Sequence, residues 1–145
     1  MFTAKFLIRG AAAAFALGAA VATVALPQRS AVKVKRYGSV IGLRPEKIEY
    51  YKKLHAAAWP GVLKMIKQCN IRNYSIYLRE VEPGKFYLFS YFEYTGKNYQ
   101  ADMAKMAADA TTQEWWKECN PCQVPIPTAR PGEWWSDMEE VFHTD

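Results

Sequence analysis

The 145 residues contain two histidines. One of them, His55, follows Tyr51 by four positions in the stretch Tyr51-Lys-Lys-Leu-His-Ala-Ala-Ala-Trp-Pro60. On a helix that spacing sets the phenol and the imidazole one above the other on a single face. Trp59 adds an indole one turn on, and Ile48, Val62 and Ile66 continue the row, which marks the face as apolar and inward. An imidazole so placed has two meanings. It is a core histidine whose ring nitrogens are satisfied by neighbours, or it is an acid/base group in a pocket walled by aromatic rings. With an ordinary pKa of ~6.5, an imidazole has both protonation states within reach at neutral pH, so it can take a proton and return it.

Trp115 and Trp116 are the second chemistry-bearing feature. Adjacent helical residues point ~100° apart, so the two indoles cannot share one core direction. One is expected to anchor the core and the other to wall a pocket. Indole faces suit the C–H faces of a sugar, and the indole N–H can donate to a hydroxyl.

The cysteines are Cys69, Cys119 and Cys122. Cys119-Asn-Pro-Cys122 has redox spacing, but a thioredoxin-type motif opens a helix after a strand, whereas this one closes a helix after Trp-Trp. A local bond between the two is compatible with an oxidising compartment. Metal binding lacks nearby ligands, His143 being the only spare histidine. Asp137, Glu139, Glu140 and Asp145 read as a solvated edge.

These residues need elements to hold them. Val34 to Leu43 reads as a strand that ends at Arg44-Pro45. A helix is expected from Pro45 to about Cys69, broken or kinked at Trp59-Pro60-Gly61. Asn70 to Val81 alternates, with Tyr74, Ile76 and Leu78 on one side and Asn73, Ser75, Tyr77 and Arg79 on the other. Glu82-Pro83-Gly84-Lys85 is a turn, and Phe86 to Tyr94 completes a hairpin. A helix follows from about Lys97 to Ala108. The next opens on a capping box, Thr111-Thr-Gln-Glu114, and stops near Asn120-Pro121. Val124 to Gly132 is proline-rich and irregular, and Trp135 or Ser136 to Phe142 is the last strand. The order β-α-β-β-α-β is the ferredoxin-like arrangement of the α+β class. One sheet face receives the helices, and the other needs cover, which a dimer stacking two sheets supplies.

Half of the residues are apolar and 14% are aromatic, so the chain has ample material for one packed domain. The formal net charge is +5, with later Lys and Arg interspersed among acids and no basic helix face, which argues against a nucleic-acid partner. No phosphate-binding glycine loop occurs.

Taken together, Tyr51-x-x-x-His55, Trp59-Pro60, Asn73-Tyr74-x-Ile76-Tyr77-Leu78, Trp115-Trp116-Lys117 and Glu140-Val141-Phe142 stand in the order and at about the spacings of a known family. From about Lys35 to Phe142 the chain resembles L-rhamnose mutarotase. The resemblance implies a small dimeric ferredoxin-like protein that uses no cofactor and interconverts the α and β anomers of L-rhamnopyranose. It implies His55 as the proton donor, with Tyr51, Tyr74, Trp115 and Trp116 contacting the sugar. The family pattern has Asn-Pro directly after the histidine and an acid after Trp-Pro, where this chain has Ala56-Ala57 and Gly61. Two other uses of such a fold remain open from sequence. One is a cofactor-free monooxygenase or haem-handling protein, for which visible absorbance is the test. The other is a deoxy-sugar-binding module without turnover, for which anomer exchange is the test.

Typical members of the family lack a leader, whereas this chain opens on a segment that looks like one. Lys5 and Arg9 precede an apolar, alanine-rich run from Gly10 to Leu26. Residues 1–26 thus read as an export signal, 27–35 as a linker and 36–145 as the folded domain. A run of this length is at the short limit for spanning a bilayer, so the alternative is an uncleaved anchor. Export to the periplasm or the cell exterior, with cleavage between Ala22 and Leu26, is the expected outcome. Mass spectrometry of protein from its native cell checks it: an intact Met1 terminus in a cytosolic fraction would rule it out.

Overall fold

The computed structural model describes residues 33–144, so the leader and its cleavage region lie outside the described residues. Strand β1 (Lys35–Leu43) lies inside a five-stranded antiparallel sheet. On one side it pairs with β3 (Lys85–Tyr94), which pairs in turn with β2 (Ile71–Glu82). On the other side two short strands share one edge. β4 (Gln123–Val124) pairs at Gly42 and Leu43, and β5 (Ser136–Met138) pairs at Gly38 to Val40. This is the ferredoxin-like strand order with its last strand split.

The split corrects the expected final strand. Pairing stops at Met138, and Val141 and Phe142 are 88% and 79% exposed. The preceding segment, read as irregular, supplies β4 instead. Pro125 and Pro127 lack the N–H a ladder needs and so end β4 after two residues. Gly42 makes its pairing feasible, because a Cβ there would lie 2.9 Å from the Val124 carbonyl oxygen.

The β2–β3 hairpin turns at Gly84, whose φ of 72° suits glycine. Near its start β2 carries a bulge between Arg72 and Ser75, with Asn73 at φ 47°. Asparagine tolerates this left-handed conformation better than most residues. The extra residue shifts side-chain parity, so Ile71, Tyr74 and Ile76 all reach the same cavity despite their mixed spacing.

Of the break or kink expected at Trp59-Pro60-Gly61, the structure has the break: the stretch from Pro45 to Cys69 holds two separate helices. After a 3-10 turn at Pro45–Lys47, α1 (Ile48–Ala56) ends when Ala57 leaves helical geometry and its N–H closes back on the Leu54 carbonyl at 3.3 Å. Trp59 is extended, as the residue before a proline prefers, and Pro60 opens α2 (Pro60–Gln68) in its first turn. Trp59 therefore leaves the helical row of Tyr51 and His55.

Asn98 caps α3 (Tyr99–Ala108) by accepting from the Ala101 N–H at 3.1 Å. The capping box at Thr111–Glu114 does not form. α4 (Ala110–Cys119) starts earlier, with the Asp109 carboxylate accepting from the Thr112 N–H at 2.8 Å and from its hydroxyl at 2.9 Å. An aspartate cap also places negative charge at the positive end of the helix, an advantage Thr111 lacks. Glu114 pairs with the exposed Lys117 instead.

The core joins Ile41, Leu43 and Leu88 of the sheet to Tyr51, Val62 and Trp115 of the helices, with Cys119 and Cys122 beside them. Burying each large apolar side chain contributes roughly 1.5–3 kcal/mol. Asp109→Ala should cost about 1–2 kcal/mol in urea unfolding, because it removes both capping bonds. Glu114→Ala should stay within about 0.5 kcal/mol. Equal losses in the two variants would restore the Thr111 box.

Candidate functional site

The core gives way to a cavity part of the way along β1. Along β1 the side chains facing the helices change from Leu43 and Ile41 to Ser39 and Tyr37, and there a cavity of about 550 Å³ opens. That is within the range of small-molecule sites, ~300–1,000 Å³. Its floor is the sheet, with Tyr37 and Ser39 from β1, Ser90 and Phe92 from β3, and Tyr74 and Ile76 from β2. The Ser39 and Ser90 hydroxyls, paired across the ladder, lie 2.7 Å apart.

All five residues singled out from sequence line this cavity: Tyr51, His55, Tyr74, Trp115 and Trp116. Tyr51 and His55 are stacked, with ring centroids 4.0 Å apart and planes 29° from parallel. Trp115 meets the His55 ring edge-on at 5.1 Å and Trp59 at 5.4 Å. The two adjacent indoles divide as expected: Trp115 is 6% exposed and anchors the core, while Trp116 is 37% exposed. On the opposite wall Tyr37 stacks on Tyr99 at 4.5 Å and on Phe92 at 5.1 Å, and Tyr74 meets Phe92 edge-on.

Several titratable groups are tuned by this environment. Burial pulls the His55 pKa below its ordinary value, partly opposed by the hydrogen bond between Nδ1 and the Tyr51 carbonyl oxygen, 3.0 Å long. A carbonyl only accepts, so Nδ1 carries a hydrogen and the neutral ring keeps its lone pair on Nε2. The same burial pushes the Tyr51 phenol up, with Cys119 adding to the rise. Desolvation raises the Tyr74 phenol to about 12. Tyr74 keeps 44% of its surface in solvent, which limits that effect, but the direction leaves it a neutral phenol at pH 7. Cys119 is pushed up to about 12 by burial and then by Cys122, so it is a protonated thiol. Cys69, Cys119 and Cys122 are free and buried. Among the described residues, no cluster of three His, Cys, Asp or Glu side chains is placed to hold a metal ion.

Several pocket residues were not singled out from sequence. Asp137, read as part of a solvated edge, lines the cavity because β5 pairs it with Ser39. It also raises the Tyr37 and Tyr99 phenols, after burial itself. Gln123 and Trp134 flank the segment read as irregular, and they are joined by a bond from the indole N–H to Gln123 Oε1 at 2.9 Å. Only strand pairing reveals Asp137. For Gln123 the available signal was a polar residue between a buried cysteine and an apolar valine. His143 is exposed near the chain end.

Fold and site together define a ferredoxin-like α+β protein with one histidine in an aromatic-walled, hydroxyl-lined pocket between sheet and helices. Residues 36–144 match the family described as L-rhamnose mutarotase, and the chain belongs to that family. It is 31% identical over 112 residues to the L-rhamnose mutarotase of Oceanobacillus iheyensis, covering 77% of this chain and 100% of the relative. It is 34% identical over 110 residues to that of Listeria monocytogenes, covering 76% and 98%. A crystal structure of an L-rhamnose mutarotase from Formosa agariphila shares the fold with a TM-score of 0.57 at 20% identity, covering 77% of this chain and 99% of that one.

Proposed function

We propose that the protein is an isomerase that interconverts the α and β anomers of a 6-deoxy sugar, L-rhamnose, by acid/base catalysis at His55. The observation that carries this reading is the stack of half-buried His55 on buried Tyr51, with Nδ1 held by a backbone carbonyl and the ring facing an aromatic pocket. Family membership supports the reaction class. In ring opening, neutral His55 takes the proton of the anomeric hydroxyl. The O1 electron pair forms the carbonyl, and the C1–O5 pair leaves with O5. O1 and O5 share one carbon, so a single imidazolium nitrogen reaches both and can return the same proton to O5. Burial that lowers the His55 pKa makes the imidazolium a readier donor for that return. Rotation about C1–C2 and the reverse steps give the other anomer with no net gain or loss of protons. Trp116 and Tyr74 serve as contacts for the sugar, with the Trp115 ring behind them.

Saturation transfer between the two anomeric protons of L-rhamnose measures the rate. Positioned acid/base groups contribute on the order of 10²–10⁴, so His55→Ala should lose most of the acceleration while keeping the fold. Activity needs the neutral imidazole. With a depressed pKa, kcat/KM should therefore be flat around pH 7–8 and fall on acidification through a midpoint below ~6.5. Trp116→Ala should chiefly raise KM, whereas Trp115→Ala should also lose about 3–5 kcal/mol of stability. The mutarotase reading fails if the wild type shows no exchange above the buffer rate with any deoxy sugar. The histidine assignment fails if His55→Ala exchanges at the full rate.

The sheet face turned away from the helices supports a homodimer. Val40 pairs with Phe89, and Phe89 with Tyr77, so one band of apolar side chains crosses three strands. Tyr77 is 64% and Met138 41% exposed. Stacking two such faces covers them. Light scattering of the mature chain should give twice the monomer mass at micromolar concentration, and a stable monomer would remove the dimer. No helix among the described residues is long and apolar enough to cross a membrane.

A further inference from the structure

Gln123 is 4% exposed at the rim of the pocket, and its carboxamide joins two walls that come from distant parts of the chain. Nε2 reaches the Tyr51 hydroxyl oxygen at a long 3.4 Å, and Oε1 accepts from Trp134 Nε1 at 2.9 Å. An amide can be turned over without changing its outline, but here its partners fix it. An indole N–H only donates, so the carboxamide oxygen faces Trp134 and the NH₂ faces Tyr51. The Tyr51 oxygen thus receives a hydrogen from Gln123, and its own hydrogen must point elsewhere. Among the described residues the Tyr51 hydroxyl finds no protein acceptor, and Tyr51 lines the cavity, so an acceptor bound there can take that hydrogen.

In a pyranose every hydroxyl oxygen carries a hydrogen, and the ring oxygen carries none. The ring oxygen also gains electron density when the C1–O5 bond breaks. We propose that Gln123 is a positioning residue that commits the Tyr51 hydroxyl as a hydrogen-bond donor to the sugar's ring oxygen and fixes Trp134 as a wall of the same pocket. This rests on the anomer-exchange reading and deepens it. Tyr51 stabilises charge at O5 while His55 moves the proton. The raised Tyr51 pKa keeps the phenol a donor throughout the working pH range. The device sits at the start of β4, whose backbone is pinned through the N–H of Arg44 to the Cys122 carbonyl at 2.9 Å, so the carboxamide has a fixed base.

The test measures kcat and KM for L-rhamnose anomer exchange by NMR. Gln123→Glu keeps an acceptor for Trp134 but offers Tyr51 an acceptor too, which draws the phenol hydrogen away from the sugar. It should lower kcat about tenfold or more, with KM changed less than about threefold. Because Gln123 acts through the phenol, the same change should cost nothing further in a Tyr51→Phe background. Trp134→Phe keeps a ring but releases the amide to turn over. It should lower kcat severalfold in the wild-type background and not in Tyr51→Phe, and it serves if Gln123→Glu fails to fold. Unchanged kcat in both single variants, or losses that add fully to that of Tyr51→Phe, overturns the proposal while leaving the mutarotase reading intact. A wild type without exchange on any 6-deoxy sugar overturns both.

Discussion

A half-buried imidazole needs its inner ring nitrogen satisfied, and here the helix that carries it does the work. His55 stands on the last turn of α1, and its Nδ1 hydrogen finds the carbonyl of Tyr51, four residues earlier. The same carbonyl lies within α1, where the helix ladder gives it the His55 backbone N–H, so its second lone pair serves the side chain. The side-chain bond fixes the tautomer and lays the ring against the Tyr51 phenol. Nearly everything around the pocket serves this arrangement. Trp115 blocks the edge of the imidazole, Trp59 backs Trp115, and Gln123 holds the far end of Tyr51. The surroundings are mainly aromatic and uncharged, so the imidazole is favoured in its neutral form.

The sheet contributes through parity. The side chains of β1 that face the helices are large and apolar at Ile41 and Leu43, then become Ser39 and Tyr37 where the cavity opens. The transition from core to site therefore needs no change of element, only a change of residue size along one strand face. The bulge at Asn73 does the same for β2 by bringing Tyr74 onto that face. At the same end of β2, Asn70 and Tyr94 both donate to Asp102 at 2.8 and 2.7 Å, tying α3 to the hairpin. Those bonds hold the Asp102 carboxyl below its usual range, and they secure the helix that brings Tyr99 to the pocket.

Much of this was legible in the sequence where the signal is local and periodic. Tyr51 and His55 sit one turn apart, Trp115 and Trp116 cannot share a direction, and Pro83-Gly84 turns a hairpin. The resemblance added Tyr74. What escaped depends on partners distant in sequence. Both Asp109 and Thr111 have side chains suited to capping, and their competition is settled by where α3 stops. Asp109 ends α3 and opens α4 with the same extended backbone. Asp137 looked like any exposed acid until pairing with Ser39 set its side. Gln123 and Trp134 stand at the two ends of a proline-rich segment that separates β4 from β5, and nothing periodic marks either of them.

The departures from the family pattern around His55 have a physical reading. A proline directly before Ala58 would lack an N–H, but in this chain the Ala57 N–H closes α1 on the Leu54 carbonyl. Ala57 also sits at φ −123°, well away from the value a proline ring imposes. This chain therefore stops α1 with a hydrogen bond at the position where the pattern stops it with a ring. The second departure lies across the gap, at Gly61. A Cβ there would stand 2.8 Å from Thr111 Cγ2, so α2 and α4 approach at a distance that a larger residue opposes. That approach seats Trp115, one turn after Thr111, between Trp59 and His55. The alanines and the glycine thus act on the two ends of the same break. Each keeps α1 ending just after His55 and α4 pressed against it, and the imidazole depends on both conditions.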